Sequence, residues 1–215
     1  MNCQNNGRIE SPMKNRIGIM GGTFDPIHIG HLILGEAAYE QFGLDEVWFM
    51  PAGNPPHKRN RAGCASDAQR TEMVRMAIAS NPHFVLSLEE MNEDGYSYTY
   101  RTLERLTTVY PEADFYFIIG ADSLFDFDTW REPQRIADAC NIVVATRNQI
   151  SSETFDKVLE ERRNQFHGCF LKLDTPNLDI ASKTIRSWIR SHKTTRYYLP
   201  EEVQRYIMKN KIYEV

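Results

Sequence analysis

The sequence lacks the features that mark metal-binding, membrane and nucleic-acid-binding proteins. Its four cysteines are scattered and form no C-x-x-C pair, so we expect reduced structural thiols rather than zinc ligands or disulfides. No apolar run approaches the roughly 20 residues of a membrane span. Lys and Arg number 25 against 29 Asp and Glu, for a net charge of −4, which argues against a nucleic-acid-binding surface. We therefore expect neither a membrane nor a nucleic acid among its partners, and the clusters RNRAG and ERRNQ are interpreted as solvated surface.

The N-terminal segment is polar and lacks the apolar stretch of a secretory signal. We expect residues 1–15 to form a flexible extension of a cytoplasmic protein, followed by one domain over 16–215 that is long enough to bury a core. The sequence does not set the oligomeric state, and a homo-oligomer is compatible with it.

Apolar strands and amphipathic helices alternate along the chain. Ala113–Gly120 is a nearly continuous apolar run, as expected of a central parallel strand buried on both faces. The other predicted strands are Arg16–Met20, Glu46–Met50, Phe84–Leu88, Ile142–Ala145 and Phe170–Leu173. The alternation predicts an α/β fold with a doubly wound, Rossmann-like parallel sheet and two C-terminal helices. Ligands bind such sheets at the carboxyl ends of the strands.

Two glycines, an Asp-Pro pair and two histidines follow the first predicted strand, in the string GGTFDPIHIGH. Gly21 and Gly22 can adopt positive φ and bring N–H groups to a phosphate, and Asp25-Pro26 predicts the N-cap and first residue of a helix. His28 and His31 would share one helical face beside the positive helix end and donate to phosphate oxygens. Two alternatives stay open, an ordinary tight turn for the glycines and a metal pair for the histidines, although zinc needs further ligands.

This string resembles the nucleotidyltransferase superfamily, in which the two histidines and the neighbouring Thr or Ser contact ATP phosphates. Neither G-x-x-x-x-G-K-[ST] nor G-x-G-x-x-G occurs at the first strand. The further motifs resemble, in order, those of bacterial nicotinate-nucleotide adenylyltransferases from about Ile17 to Tyr213. They are Met50-Pro51 with Pro55-Pro56-His57-Lys58, Gly95–Thr99, Gly120–Leu124 with Trp130, Ile180–Arg186 and Tyr198–Glu201.

The resemblance implies transfer of the adenylyl group of ATP to nicotinate mononucleotide, which gives deamido-NAD and pyrophosphate by direct in-line attack. The expected partners are thus ATP and nicotinate mononucleotide, with Mg²⁺ held mainly by the ATP phosphates and no metal ligand from the protein. The expected catalytic residues are His28, His31, Lys58 and Arg186. The expected ATP-binding residues are Gly21, Gly22, Thr23, Phe24, Gly120, Asp122, Ser182 and Ile185, and Thr99 and Trp130 are expected to bind the acceptor.

Some of these roles have competing interpretations. Asp122 either binds the ATP ribose or caps a helix, Trp130 either packs on the pyridine ring or belongs to the core, and Arg147 lies either near the nucleotide or on the surface. Four residues depart from the family pattern, namely Ala52, Arg131, Ala181 and Lys183. They leave the choice between nicotinate and nicotinamide mononucleotide open.

Two other functions fit parts of the sequence. One is a different transferase of the superfamily, acting on pantetheine phosphate or an alcohol phosphate, although those enzymes are shorter and lack the Pro-Pro-His-Lys and Ser-Tyr-Thr strings. The other is a nucleotide-binding sensor without turnover. Loss of His28, His31 or Arg186 would favour the sensor, and all three residues are present.

Overall fold

The computed structural model describes residues 15–53, 63–91, 97–146, 151–176 and 178–214. Strands and helices alternate through these residues, as the sequence predicts, and the strands Ala113–Gly120 and Phe170–Leu173 have the predicted bounds. In chain order the elements are β1 (Asn15–Gly22), α1 (Ile29–Phe42), β2 (Glu46–Pro51), α2 (Asp67–Ile78), β3 (Phe84–Leu86), α3 (Thr99–Val109), β4 (Ala113–Gly120), α4 (Ala121–Phe125), a 3₁₀ helix (Phe127–Thr129), α5 (Pro133–Ala139), β5 (Asn141–Ala145), α6 (Ser152–Gln165), β6 (Phe170–Leu173), α7 (Ser182–Arg190) and α8 (Glu201–Lys209).

The described strands form one parallel sheet in the order β3-β2-β1-β4-β5-β6. The chain builds outward from β1 to β3, then crosses to β4 on the other side of β1 and continues outward to β6. The strand order therefore reverses between β1 and β4, the place where open α/β sheets bind ligands. The predicted doubly wound α/β fold is confirmed.

Apolar side chains of the sheet belong to two hydrophobic clusters, one on each face of the sheet. Ile17 and Ile19 of β1 point to the cluster that also holds Leu103 of α3 and Phe155 of α6. Met20 belongs to the opposite cluster, which includes apolar residues of α1, α2, α7 and α8. This alternation along β1 buries the strand on both faces.

The junction between β1 and α1 differs from the sequence prediction. β1 runs on through Gly22, and the left-handed backbone in this stretch is at Phe24 (φ 48°) rather than at either glycine. α1 begins at Ile29 with His28 as its N-cap, so the prediction that Asp25 caps the helix is wrong. At its other end, Gly43 caps α1 in the left-handed conformation (φ 57°, ψ 48°).

Residues 1–14 of the predicted extension lie outside the described residues, and Asn15 already pairs with Ala113 in the sheet. Within the described ranges, no helix combines the length and the apolar composition that crossing a membrane would require.

Candidate active site

The loop after β1 is shaped by tight contacts around Gly21 and Gly22. A Cβ on Gly21 would lie 3.2 Å from the Phe117 ring, and one on Gly22 would lie 3.2 Å from the Phe24 ring. Phe24 is only 2% exposed and packs edge-to-face against His31 at 5.0 Å between ring centroids. The glycines therefore allow close packing of two aromatic rings, and Phe24 can offer a ligand only its backbone.

His28 and His31 form a stacked pair at the start of α1, with ring centroids 3.7 Å apart and planes inclined by 21°. The His28 backbone N–H donates to Nδ1 of His31 at 3.1 Å. Since Nδ1 accepts this bond, the neutral His31 ring carries its proton on Nε2. The His28 ring is 4% exposed. The predicted proximity of the two rings is confirmed, although it arises at the helix cap rather than along a helical face.

An open pocket lies beside this pair. It is lined by residues that follow β1, β4, β5 and β6, so it sits at the carboxyl ends of the strands beside the reversal of strand order. The residues that matter for its chemistry are His28, His31, Gly120, Thr146, Thr175 and Ile180. The two histidines and Gly120 thus meet at the carboxyl ends of the strands, the edge of the sheet where the sequence predicts ligand binding.

The first turns of α7 brace the β1–α1 loop. The Ser182 hydroxyl donates to the Pro26 carbonyl at 2.9 Å, and Nη1 of Arg186 donates to the Asp25 carbonyl at 2.5 Å. Ile185 is fully buried in the core. Of these predicted ATP-site residues, Ser182 and Arg186 contact the β1–α1 loop directly, whereas Ile185 supports α7 by packing.

Asp25 has a role that the sequence did not reveal. Its carboxylate is 6% exposed and accepts hydrogen bonds from the Ala65 N–H at 3.0 Å and the Tyr213 hydroxyl at 2.7 Å. The Arg186 guanidinium lies 3.6 Å from the second carboxylate oxygen. Burial raises the pKa of the Tyr213 hydroxyl, and the Asp25 charge raises it further. Burial also raises the pKa of the Cys64 thiol, with Asp25 again adding to the effect.

Arg70 of α2 is a second residue that sequence reasoning missed. Its side chain is 4% exposed, and the guanidinium donates to the carbonyls of Thr23 and Ala52 and to the Asp67 carboxylate, each at 2.7 Å. Thr23 follows β1 and Ala52 follows β2, so Arg70 ties together the loops at the ends of two neighbouring strands. Arg70 shares the buried face of α2 with Met73, Val74, Ala77 and Ile78, which follow it by three, four, seven and eight residues. An arginine at this apolar spacing is the signal that could have identified it.

The predicted acceptor residues lie around the start of α3 and the segment after α4. Thr99 is the first residue of α3. The half-buried Trp130 ring contacts Phe127 at 5.6 Å between centroids, and the Arg131 guanidinium lies 4.8 Å above the Tyr98 ring. Arg131 therefore connects the two segments.

Asp122 is exposed in the first turn of α4, and Gly120 is the N-cap, so the helix-cap alternative for Asp122 is wrong. Lys58 and Arg147 lie outside the described residues.

The chain matches known proteins over nearly its whole length. A family model described as cytidylyltransferase-like matches residues 19–196. A "Probable nicotinate-nucleotide adenylyltransferase" of Desulfitobacterium hafniense (strain Y51) is 42% identical over 207 residues, 96% of this chain and 99% of that protein. One of Thermoanaerobacter sp. (strain X514) is 40% identical over 200 residues, 93% of this chain and 94% of that protein.

A solved structure shares the fold. Plasmodium falciparum nicotinic acid mononucleotide adenylyltransferase complexed with NaAD aligns with a TM-score of 0.75 at 21% identity, covering 93% of this chain and 98% of that chain. The chain therefore belongs to the cytidylyltransferase-like family and, within it, to the nicotinate-nucleotide adenylyltransferases.

Proposed function

We propose that this chain joins ATP and nicotinate mononucleotide to give deamido-NAD and pyrophosphate, as its family membership indicates. An oxygen of the acceptor phosphate attacks the α-phosphorus of ATP in line. A new P–O bond forms while the bond between the α-phosphorus and the oxygen that bridges to the β-phosphate breaks, and pyrophosphate leaves. No general base is needed, because the second pKa of a phosphate monoester is about 6.

The observation that carries the proposal is the stacked pair of His28 and His31 beside the pocket. In-line attack of a phosphate dianion on a polyanion needs fixed donors that offset developing negative charge. The N–H of His28 fixes the His31 ring through Nδ1 at 3.1 Å, which supports Nε2–H as a preoriented donor. The N–H groups that begin α1 add positive potential beside the same pocket.

We propose supporting roles for the other predicted residues. Arg186 contributes its remaining N–H groups to the ATP phosphates, since only part of the guanidinium is engaged with Asp25. Asp122, exposed at the first turn of α4, accepts from the ATP ribose. The N-terminus of α3 at Thr99 receives the nicotinate carboxylate, and Trp130 packs against the pyridine ring. Lys58 is proposed to draw in the acceptor phosphate.

Mg²⁺ would enter with ATP rather than reside in the protein. The described residues contain no group of three or more His, Cys, Asp or Glu side chains that could hold a metal ion. The chemistry of a triphosphate, with its many oxygens, suits Mg²⁺ and leaves the ion its waters. When bound, the ion would neutralise phosphate charge.

We also propose a cytoplasmic location, and a homo-oligomer stays a prediction.

The decisive experiment measures pyrophosphate release from ATP and Mg²⁺ with no acceptor, nicotinate mononucleotide, nicotinamide mononucleotide or phosphopantetheine. We expect release only with a pyridine mononucleotide, and faster release with the acid. Release with phosphopantetheine alone would reassign the acceptor within the superfamily. ATP binding without release in any mixture would support the sensor and overturn the proposal.

A further inference from the structure

The C-terminal segment reaches the candidate active site through one hydrogen bond. Tyr213, 188 residues after Asp25 in the chain, donates its hydroxyl proton to Oδ1 of Asp25 at 2.7 Å. The same oxygen accepts the Ala65 N–H at 3.0 Å. The other oxygen, Oδ2, faces Arg186 at 3.6 Å. Two donors thus hold one carboxylate oxygen, and the second oxygen is left for the arginine.

This arrangement determines where the Asp25 charge points. Rotating the carboxylate by 180° about its Cβ–Cγ bond only exchanges two equivalent oxygens. Any smaller rotation weakens the hydrogen bonds from Tyr213 and Ala65 at the same time. The two donors therefore favour the angle at which Oδ2 faces Arg186. Arg186 is held at a second point, because its Nη1 also donates to the Asp25 backbone carbonyl at 2.5 Å. The guanidinium is consequently fixed against the loop that precedes α1.

Tyr213 itself is firmly placed. Its ring is 2% exposed within the core, and its backbone adopts φ 74°, a conformation that a non-glycine residue keeps only when its surroundings hold it. Burial and the Asp25 charge both raise the pKa of the hydroxyl, so it stays a donor through the neutral range. The tail has a separate anchor, since the Ile212 N–H donates to the Ile207 carbonyl at 3.0 Å. Loss of the hydroxyl alone would leave the tail attached.

We propose that Tyr213 is a positioning residue for ATP: through Asp25 it aims Arg186 at the polyphosphate. This inference rests on the proposed function, in which Arg186 meets the ATP phosphates. It predicts an effect that is selective for ATP, because the Asp25 cluster lies against the β1–α1 loop and α7 rather than against Thr99 and Trp130. A role in folding alone would affect both substrates alike.

The test compares Tyr213→Phe with Tyr206→Phe, a matched variant that removes the hydroxyl of a half-buried tyrosine on the neighbouring α8. Both keep the ring. We expect Tyr213→Phe to raise the KM for ATP and the Kd for ATP, measured by calorimetry without acceptor, about tenfold, the scale of a lost hydrogen bond to a charged group. The KM for nicotinate mononucleotide should stay within about twofold. Tyr206→Phe should change neither constant.

A double-mutant cycle separates positioning from general weakening. In protein that already carries Arg186→Lys, Tyr213→Phe should raise the Kd for ATP by less than about twofold, because the guanidinium that Tyr213 positions has been replaced. Equal losses in both backgrounds, equal increases in the KM of both substrates, or unchanged ATP binding would each overturn the inference. If Tyr213→Phe does not fold, Asp25→Asn serves instead and should show the same selectivity for ATP. Wild-type protein that binds ATP but releases no pyrophosphate would refute the proposed function and leave this binding test intact.

Discussion

Arg70→Met should cost the protein much of its stability, because the buried Arg70 joins the loops after β1 and β2 through a pair of carbonyl contacts. The Arg70 side chain is 4% exposed, and its guanidinium donates at 2.7 Å to the carbonyls of Thr23 and Ala52. Methionine keeps most of the apolar stem but removes all donors. Both carbonyls, which belong to half-buried residues, then lose a charged donor.

The expected loss can be worked out from these contacts. A hydrogen bond to a charged group contributes about 1.5 to 3 kcal/mol, so two such bonds contribute about 3 to 6 kcal/mol. The ion pair with Asp67 adds little, because the Asp67 side chain is 65% exposed. Some relaxation toward water would reduce the sum, and we expect a loss of about 3 to 5 kcal/mol, a large share of the roughly 5 to 15 kcal/mol typical of a native domain.

Urea unfolding followed by circular dichroism measures this loss. The matched control is Arg75→Met on the same helix, where the arginine side chain is 56% exposed and forms an ion pair with Glu72. Arg70→Lys should fall between wild type and Arg70→Met, because one ammonium group keeps the charge but cannot span both carbonyls as a planar fork does. A loss below about 1 kcal/mol for Arg70→Met, equal to that of Arg75→Met, would refute the bridging role.

Three further predictions concern the histidines, a close backbone contact and the metal. His28→Ala should lower turnover about a hundredfold or more, since it removes a donor aimed at developing charge. The control variant His167→Ala replaces an exposed histidine before β6 and should leave turnover unchanged. Equal turnover of the two variants would contradict the assignment. Gly53→Ala should lower the melting temperature by several degrees, because the added Cβ would lie 2.0 Å from the Glu90 carbonyl oxygen. An unchanged melting temperature would show that the loop moves to make room for the Cβ. Chelation of Mg²⁺ should abolish pyrophosphate release without lowering the melting temperature of the ATP-free protein. A lower melting temperature after chelation would indicate a metal ion bound by the protein itself.

The sheet could be predicted from the sequence because its signals are local. Ala113–Gly120 is apolar at nearly every position and ends at a glycine, and the structure has a strand with the same bounds. Phe170–Leu173 is likewise confirmed. A parallel sheet brings the carboxyl ends of its strands to one edge, so the meeting of His28, His31 and Gly120 follows from strand order without knowledge of any side-chain contact.

Asp25 shows why the remaining part of the site could not be predicted. An Asp before a Pro carries the local pattern of a helix cap, and nothing nearby in the sequence contradicts that pattern. The cap in the structure is His28, three residues later, where His31 can accept its N–H. Asp25 turns inward because its donors come from Ala65 and Tyr213, which are 40 and 188 residues away in the chain. A buried carboxylate is tolerated only where such partners converge, so its position depends on the finished packing of the helices that carry them. The residues of a local motif can thus be identified from the sequence, whereas the residues that hold the motif in place emerge only from the fold.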